Sequence, residues 1–175
     1  MTVINNGVRH VSSGSVTGPI VGHGEWDLVA NGPFWSVFDV IGFVSPGQTF
    51  NLTAGTWLEI GDPSIERAGL DKPSPFHGKI DFAAPDRVGV EFVGILNMQA
   101  DSYELRRGFL ELFDGDRMVD ALRVSVAGRP LTDGMPLVVG CGLGCVTIEF
   151  GLIQPAGYAA QAPDPMGVRV GERLG

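Results

Sequence analysis

Lysine is nearly absent from this chain: Lys72 and Lys79 are the only two in 175 residues, and the other basic side chains are all arginine. Charge of either sign is sparse, at 18% of residues, where soluble domains usually carry roughly 25%. With 12 basic against 20 acidic side chains the formal net charge is −8. Such a surface repels phosphate backbones, which argues against nucleic acid as a partner. Cysteine is limited to Cys141 and Cys145, and histidine to His10, His23 and His77. A structural zinc centre takes about four such ligands, and no His-x-His pair occurs, so no metal site is expected. Long apolar runs are also missing. The most apolar window, Leu137 to Ile153, is broken by Gly140, Gly142, Gly144, Glu149 and Gly151, so no membrane span is expected. The opening MTVINNGVRHVSSGSVTG lacks a basic leader followed by an apolar run. It does not read as a signal peptide, and the expected setting is the cytoplasm or a virion. No phosphate-binding loop, nucleophile elbow or paired-glycine dinucleotide fingerprint occurs. No catalytic residue and no cofactor are assigned, and the sequence leans away from an enzyme.

What is abundant is punctuation. The 26 glycines and 12 prolines are too dense for long helices and suit many short strands joined by turns. Strand-forming runs recur at Trp26 to Val29, Pro33 to Val44, Thr49 to Ile60 and His77 to Phe82. The clearest is Arg87 to Met98, where Val88, Val90 and Phe92 share one face. Tyr103 to Phe113 and Arg117 to Val126 flank Asp114-Gly115, a strong hairpin signal because a type I′ turn needs positive φ at both central residues. Tyr103 to Met118 also contains good helix formers, but Gly108, Asp114 and Gly115 favour strand. Ala127-Gly128 and Asp133-Gly134 mark further turns, and Leu137 to Leu152 closes the series. In the loop at 61–75, Ser64 to Leu70 suits one helical turn.

This pattern predicts an all-β domain, an antiparallel β-sandwich or jelly roll over residues 25–154. Residues 1–24 are polar and rich in Ser and Gly, and 155–175 are rich in Pro, Gly and Ala. Both ends read as extended arms that order against something else. Trp26, Trp35 and Trp57 are candidates for a subunit interface or for stacking on a sugar, although their apolar neighbours favour burial. Cys141 and Cys145, in VGCGLGCV, share a face of an extended strand. They read as buried thiols, or as thiols gathered near an oligomer axis. Asp114, Asp116 and Asp120 cluster at the hairpin tip, where a solvated turn is favoured over a calcium site. Asn51-Leu52-Thr53 matches a glycosylation acceptor by spacing alone.

From Val88 onward the runs RVGVEFVGILNM, GFLELFDGDRMVDALRVSV and VTIEFGL resemble, in strand spacing, trimeric jelly-roll modules of the TNF/C1q-like kind and those of phage head-fibre, spike or decoration proteins. The resemblance implies a structural or adhesive role in a homotrimer or virion, with neighbouring structural proteins as partners and no cofactor. Three expectations follow. The first is a structural, self-assembling homo-oligomer, such as a bacteriophage head-decoration, fibre or tail protein. The second is a carbohydrate- or small-ligand-binding β-sandwich module, which needs an exposed tryptophan. The third is a β-barrel enzyme of cupin-like or isomerase type, which needs a pocket with convergent polar groups.

Overall fold

The computed structural model describes residues 1–61, 75–82, 90–96, 98–132, 135, 137–141 and 145–151, and these contain strands and turns but no helix. The chain winds through three strand positions per turn. The first turn holds β1 (Val3–Ile4), β2 (Val8–Val11) and β3 (Gly14–Thr17). The second holds β4 (Ile20–Val21), β5 (Glu25–Leu28) and β6 (Ser36–Ile41). The third passes through Val44, then β7 (Thr49–Leu52) and β8 (Thr56–Ile60). The fourth passes through Phe76, then β9 (Lys79–Phe82) and β10 (Val90–Leu96). Each position pairs in parallel with the same position one turn later. Face one runs Val3, Ile20, Val44, Phe76; face two runs β2, β5, β7, β9; face three runs β3, β6, β8, β10. This is a three-faced β-solenoid.

The far end is finished differently. After the fourth turn come β11 (Ser102–Arg106), β12 (Phe109–Asp114) and β13 (Arg117–Val126), of which β13 extends face two in parallel with β9. The short β14 (Arg129–Pro130) pairs with β13. On face three, β15 (Leu137–Cys141) and β16 (Cys145–Gly151) form a hairpin that adds antiparallel to β10.

Register explains the sequence. In a stack of parallel strands, residues at matched positions lie directly above one another, so each inward column must be apolar throughout. Face two gives the column Trp26, Phe50, Ile80, Val124 and the column Leu28, Leu52, Phe82, Val126. Face three gives Phe38, Leu58, Val93, Ile148 and Val40, Ile60, Ile95, Val146. All are buried. The Trp26 and Phe50 rings stack 5.8 Å apart at 4°, and Phe82 stacks on Phe150 at 5.0 Å across the interior.

One buried corner is polar, and it is fully paired. Gln48 is 0% exposed. Its Oε1 accepts from Trp26 Nε1 at 2.8 Å and Asn5 Nδ2 at 3.3 Å, while its Nε2 donates to the carbonyls of Asn5 and Val21 at 2.9 and 3.2 Å. Asn5 Nδ2 also donates to the Glu25 carbonyl. One side chain thus ties the first three turns together. Gly24 is required here, because a Cβ on it would strike the Asn5 amide.

The all-β expectation holds, but the strand order differs from it. Antiparallel pairing is confined to the last strands, and a jelly-roll sandwich is not what the parallel ladders build. The expected arm at residues 1–24 is corrected as well: these residues form the whole first turn and enter the second, with Ile20 and Asn5 buried. The C-terminal arm and the helical turn at 64–70 lie outside the described residues. Tyr103 to Phe113 is two strands rather than one. Arg107 and Gly108 turn between them with φ of 51° and 82°, and Ala127-Gly128 repeats that pattern at 47° and 77°. The Asp114 hairpin is present, but Asp114 pairs with Arg117, so its central residues are Gly115 and Asp116 and only Gly115 has positive φ.

Replacing Gln48 with Leu is expected to destabilise the fold although it removes a buried polar group. The indole N–H of Trp26 and the Asn5 amide lose their partner inside the core, at a cost of about 2–4 kcal/mol. Urea unfolding measures this; an unchanged or raised midpoint would show that the corner does not hold the turns together.

Candidate functional site

Two surfaces stand out. The first is the outer side of the first turn. The strands β1, β2 and β3 each end their ladder, so among the described residues no strand covers them. Glu25 N donates to Gly7 O at 2.8 Å and Val29 N to Val11 O at 2.9 Å. Alternate residues of a parallel ladder point their backbone groups to the same neighbour. Gly7, Arg9 and Val11 therefore face β5, and Val8 and His10 turn their N–H and C=O groups to the open side. Ile4 and Val8 are 64% and 56% exposed on this turn. Val3, Val11 and Val16 cover the core only in part. The inward column of face two ends in Arg9, whose guanidinium lies 5.3 Å from the Trp26 ring centre. A cation over an indole face gives the open end of the aromatic stack a solvated lid.

The second surface is the outer side of face three, where two neighbouring rows run across the strands. One reads Val37, Trp57, Phe92, Glu149, Val138; the other reads Ser15, Asp39, Glu59, Gly94, Thr147, Gly140. Trp35, half-buried just before β6, stands edge-on to Phe92 at 4.8 Å and 85°, and Trp57 lies 5.7 Å from Phe92. Trp57 itself is 9% exposed, and its Nε1 has no hydrogen-bond partner among the described residues. That nitrogen lies against Gly94, 3.1 Å from where a side chain would begin. The indole is thus directed across the first row onto the second, between Glu59 and Thr147.

The carboxyls of this face are held above their ordinary range. Partial burial raises Asp39 and Glu149, and burial together with the neighbouring Asp39 charge raises Glu59. Cys145, at the hairpin end of the same face, is a free thiol. Its pKa is pushed up to about 11, by burial first and by the Glu59 charge second, against a backbone hydrogen bond from Ile95.

The sequence candidates are therefore divided. Trp26 is core, bonded to Gln48 and stacked on Phe50. Trp35 and Trp57 meet around Phe92 on the outside. Cys141 and Cys145 belong to two paired strands, not to one extended strand, with Cys141 opposite Val146. His10 pairs with Asp27 at 3.1 Å, and His77 packs on Phe43, well separated along the solenoid. Among the described residues no three His, Cys, Asp or Glu side chains are grouped to hold a metal, the Asp114, Asp116 and Asp120 tip included. No described helix is long and apolar enough to cross a membrane. Face two carries a polar row, His10, Asp27, Asn51, Asp81, Ser125, whose members largely bond one another: Asn51 Nδ2 donates to Asp27 at 2.7 Å, and Ser125 Oγ donates to Asp81.

Sequence reasoning missed Asp39, Glu59 and Glu149. Their signal was an acidic residue between two buried apolar ones in three strands of one sheet, VFDVI, TWLEI and TIEFG, but only the parallel register brings Asp39 and Glu59 side by side. No family model, no curated protein and no solved structure matches the chain.

The carboxyl shifts have a definite sign. Each folded-state pKa lies above the unfolded one, so the contribution to stability is whole below the unfolded carboxylate range. It is lost as pH rises through the folded pKa. Glu59→Gln is expected to raise the thermal midpoint at pH 7 by about 1–3 °C, with the gain closing toward about pH 4. Melting curves by circular dichroism across that range check it; an equal gain at both ends would assign the effect to something other than ionisation.

Proposed function

We propose that the protein is a structural, self-assembling component whose copies associate through the open first turn, of the kind that bacteriophage virions use for head decoration, fibres or tails. The observation that carries this reading is the edge of the first turn. Both large sheets end in edge strands, β11 and β15 at the hairpin end and β2 and β3 at the first turn, and at the first turn Val8 and His10 aim backbone groups outward that no described strand pairs. An uncovered strand edge is a ready template for another strand. The exposed Ile4 and Val8 supply apolar area beside it. Arg9 over Trp26 keeps the isolated end hydrated until a second copy meets it, which fits association by edge pairing rather than by simple apolar contact.

Light scattering over a concentration series is expected to show a homo-oligomer. His10→Pro removes an N–H that faces the open side and leaves the β2–β5 ladder complete, since proline is tolerated at such an edge position. That variant is expected to shift the protein to monomer with its circular dichroism spectrum unchanged. A wild-type monomer at every concentration would overturn the reading, as would an oligomer indifferent to the proline.

A further inference from the structure

The outer side of face three has a composition that the assembly reading does not use. Two adjoining rows hold the rings of Phe92 and the largely buried Trp57, carboxyls at Asp39, Glu59 and Glu149, and a flat step at Gly94, and Trp35, just before β6, stands edge-on to Phe92 beside them. Strands in a sheet lie about 4.8 Å apart, so Asp39, Glu59 and the Gly94 step are immediate neighbours across it. No lysine or arginine stands in either row. Within these rows an anionic ligand would meet only like charge.

The unspent donor narrows the choice further. A buried indole N–H without a partner forgoes a hydrogen bond that it makes to water in the unfolded chain. Trp57 Nε1 is such a donor, and it is directed onto the row that holds Glu59 and Thr147. It needs an acceptor oxygen, whereas the carboxylates beside it need donors. A hydroxyl supplies both, and a cation supplies no acceptor. The aromatic rings suit the C–H face of a pyranose, and tryptophan joins an apolar face to a polar tip in the way such a ligand requires.

We propose that this face binds a neutral saccharide, with a pyranose ring against Trp35 and its hydroxyls reaching Glu59, Asp39 and the indole N–H of Trp57. The site is built by the register of β6, β8 and β10 and does not involve the first turn, so it stands or falls separately from the assembly reading. The elevated carboxyl pKa values agree with it, because a half-desolvated carboxyl gains from a hydroxyl partner that replaces lost water.

The test is titration of the whole protein with cellohexaose and with maltohexaose, followed by tryptophan fluorescence and by calorimetry, with choline as a cationic control. A saturable response to at least one oligosaccharide and none to choline is expected. Trp35→Ala and Glu59→Gln should each weaken that response tenfold or more. Trp35 lies outside the core and Glu59→Gln removes only charge, so circular dichroism should show both variants folded. No saturable response to either sugar overturns the proposal. So does a response to choline alone, or a sugar response that both variants retain in full.

Discussion

Everything in this structure rests on turns that stack in register. Each inward residue is roofed by the equivalent residue of the next turn, and the interior becomes a set of columns rather than two facing layers. The column Trp26, Phe50, Ile80, Val124 illustrates the constraint, since a slip of one residue would place Glu25 or Asp27 in the interior. Gln48 enforces the register at one corner by bonding to Asn5, Val21 and Trp26, residues of the two preceding turns. Apolar columns tolerate small slides, but a set of directional hydrogen bonds does not, and a satisfied buried polar group is a strong specifier of one arrangement.

The same stacking produces the two outer surfaces. Side chains between the inward columns form rows across the strands, so residues far apart in sequence become neighbours at strand spacing. Asp39 and Glu59 are one such pair, and Trp57 and Phe92 another. A repeating architecture of this kind also has ends. At one of them the hairpins leave β11 and β15 as edge strands, and at the other the first turn ends in Arg9 and in backbone groups that no described strand meets. An uncovered edge strand would serve the assembly we propose, and rows of side chains across the strands would serve the ligand we propose.

Much of the strand content was legible in the sequence. The runs at Thr49 to Ile60, Arg87 to Met98 and Arg117 to Val126 all contain strands, and the Asp114 hairpin is where the turn residues placed it. The direction of pairing was not legible, because apolar alternation with period two is the same for parallel and antiparallel neighbours. The first turn was misread as an arm for a related reason. As the terminal layer it is covered on one side only, so its inward positions include Arg9 and Gly14, and its hydrophobicity falls below that of the turns it caps. Trp26 was separable from Trp35 and Trp57 only through register: Trp26 faces the interior above Phe50, and Trp57 sits between the inward Thr56 and Leu58 and so faces out. The turns at Arg107-Gly108 and Ala127-Gly128 adopt positive φ at both residues. At Arg107 that conformation sits in a segment whose composition also suits a helix, which is why one strand was read where two exist.

Residues 3–17 form an ordered, outermost turn of the solenoid whose outer edge no described strand pairs. Amide hydrogen exchange resolved by residue, on dilute protein, reads this edge residue by residue. An alternation along β2 is expected, with Arg9 and Val11 protected by their bonds to β5 and with Val8 and His10 exchanging fast. Uniformly fast exchange from Val3 to Thr17 would contradict it and restore the loose arm.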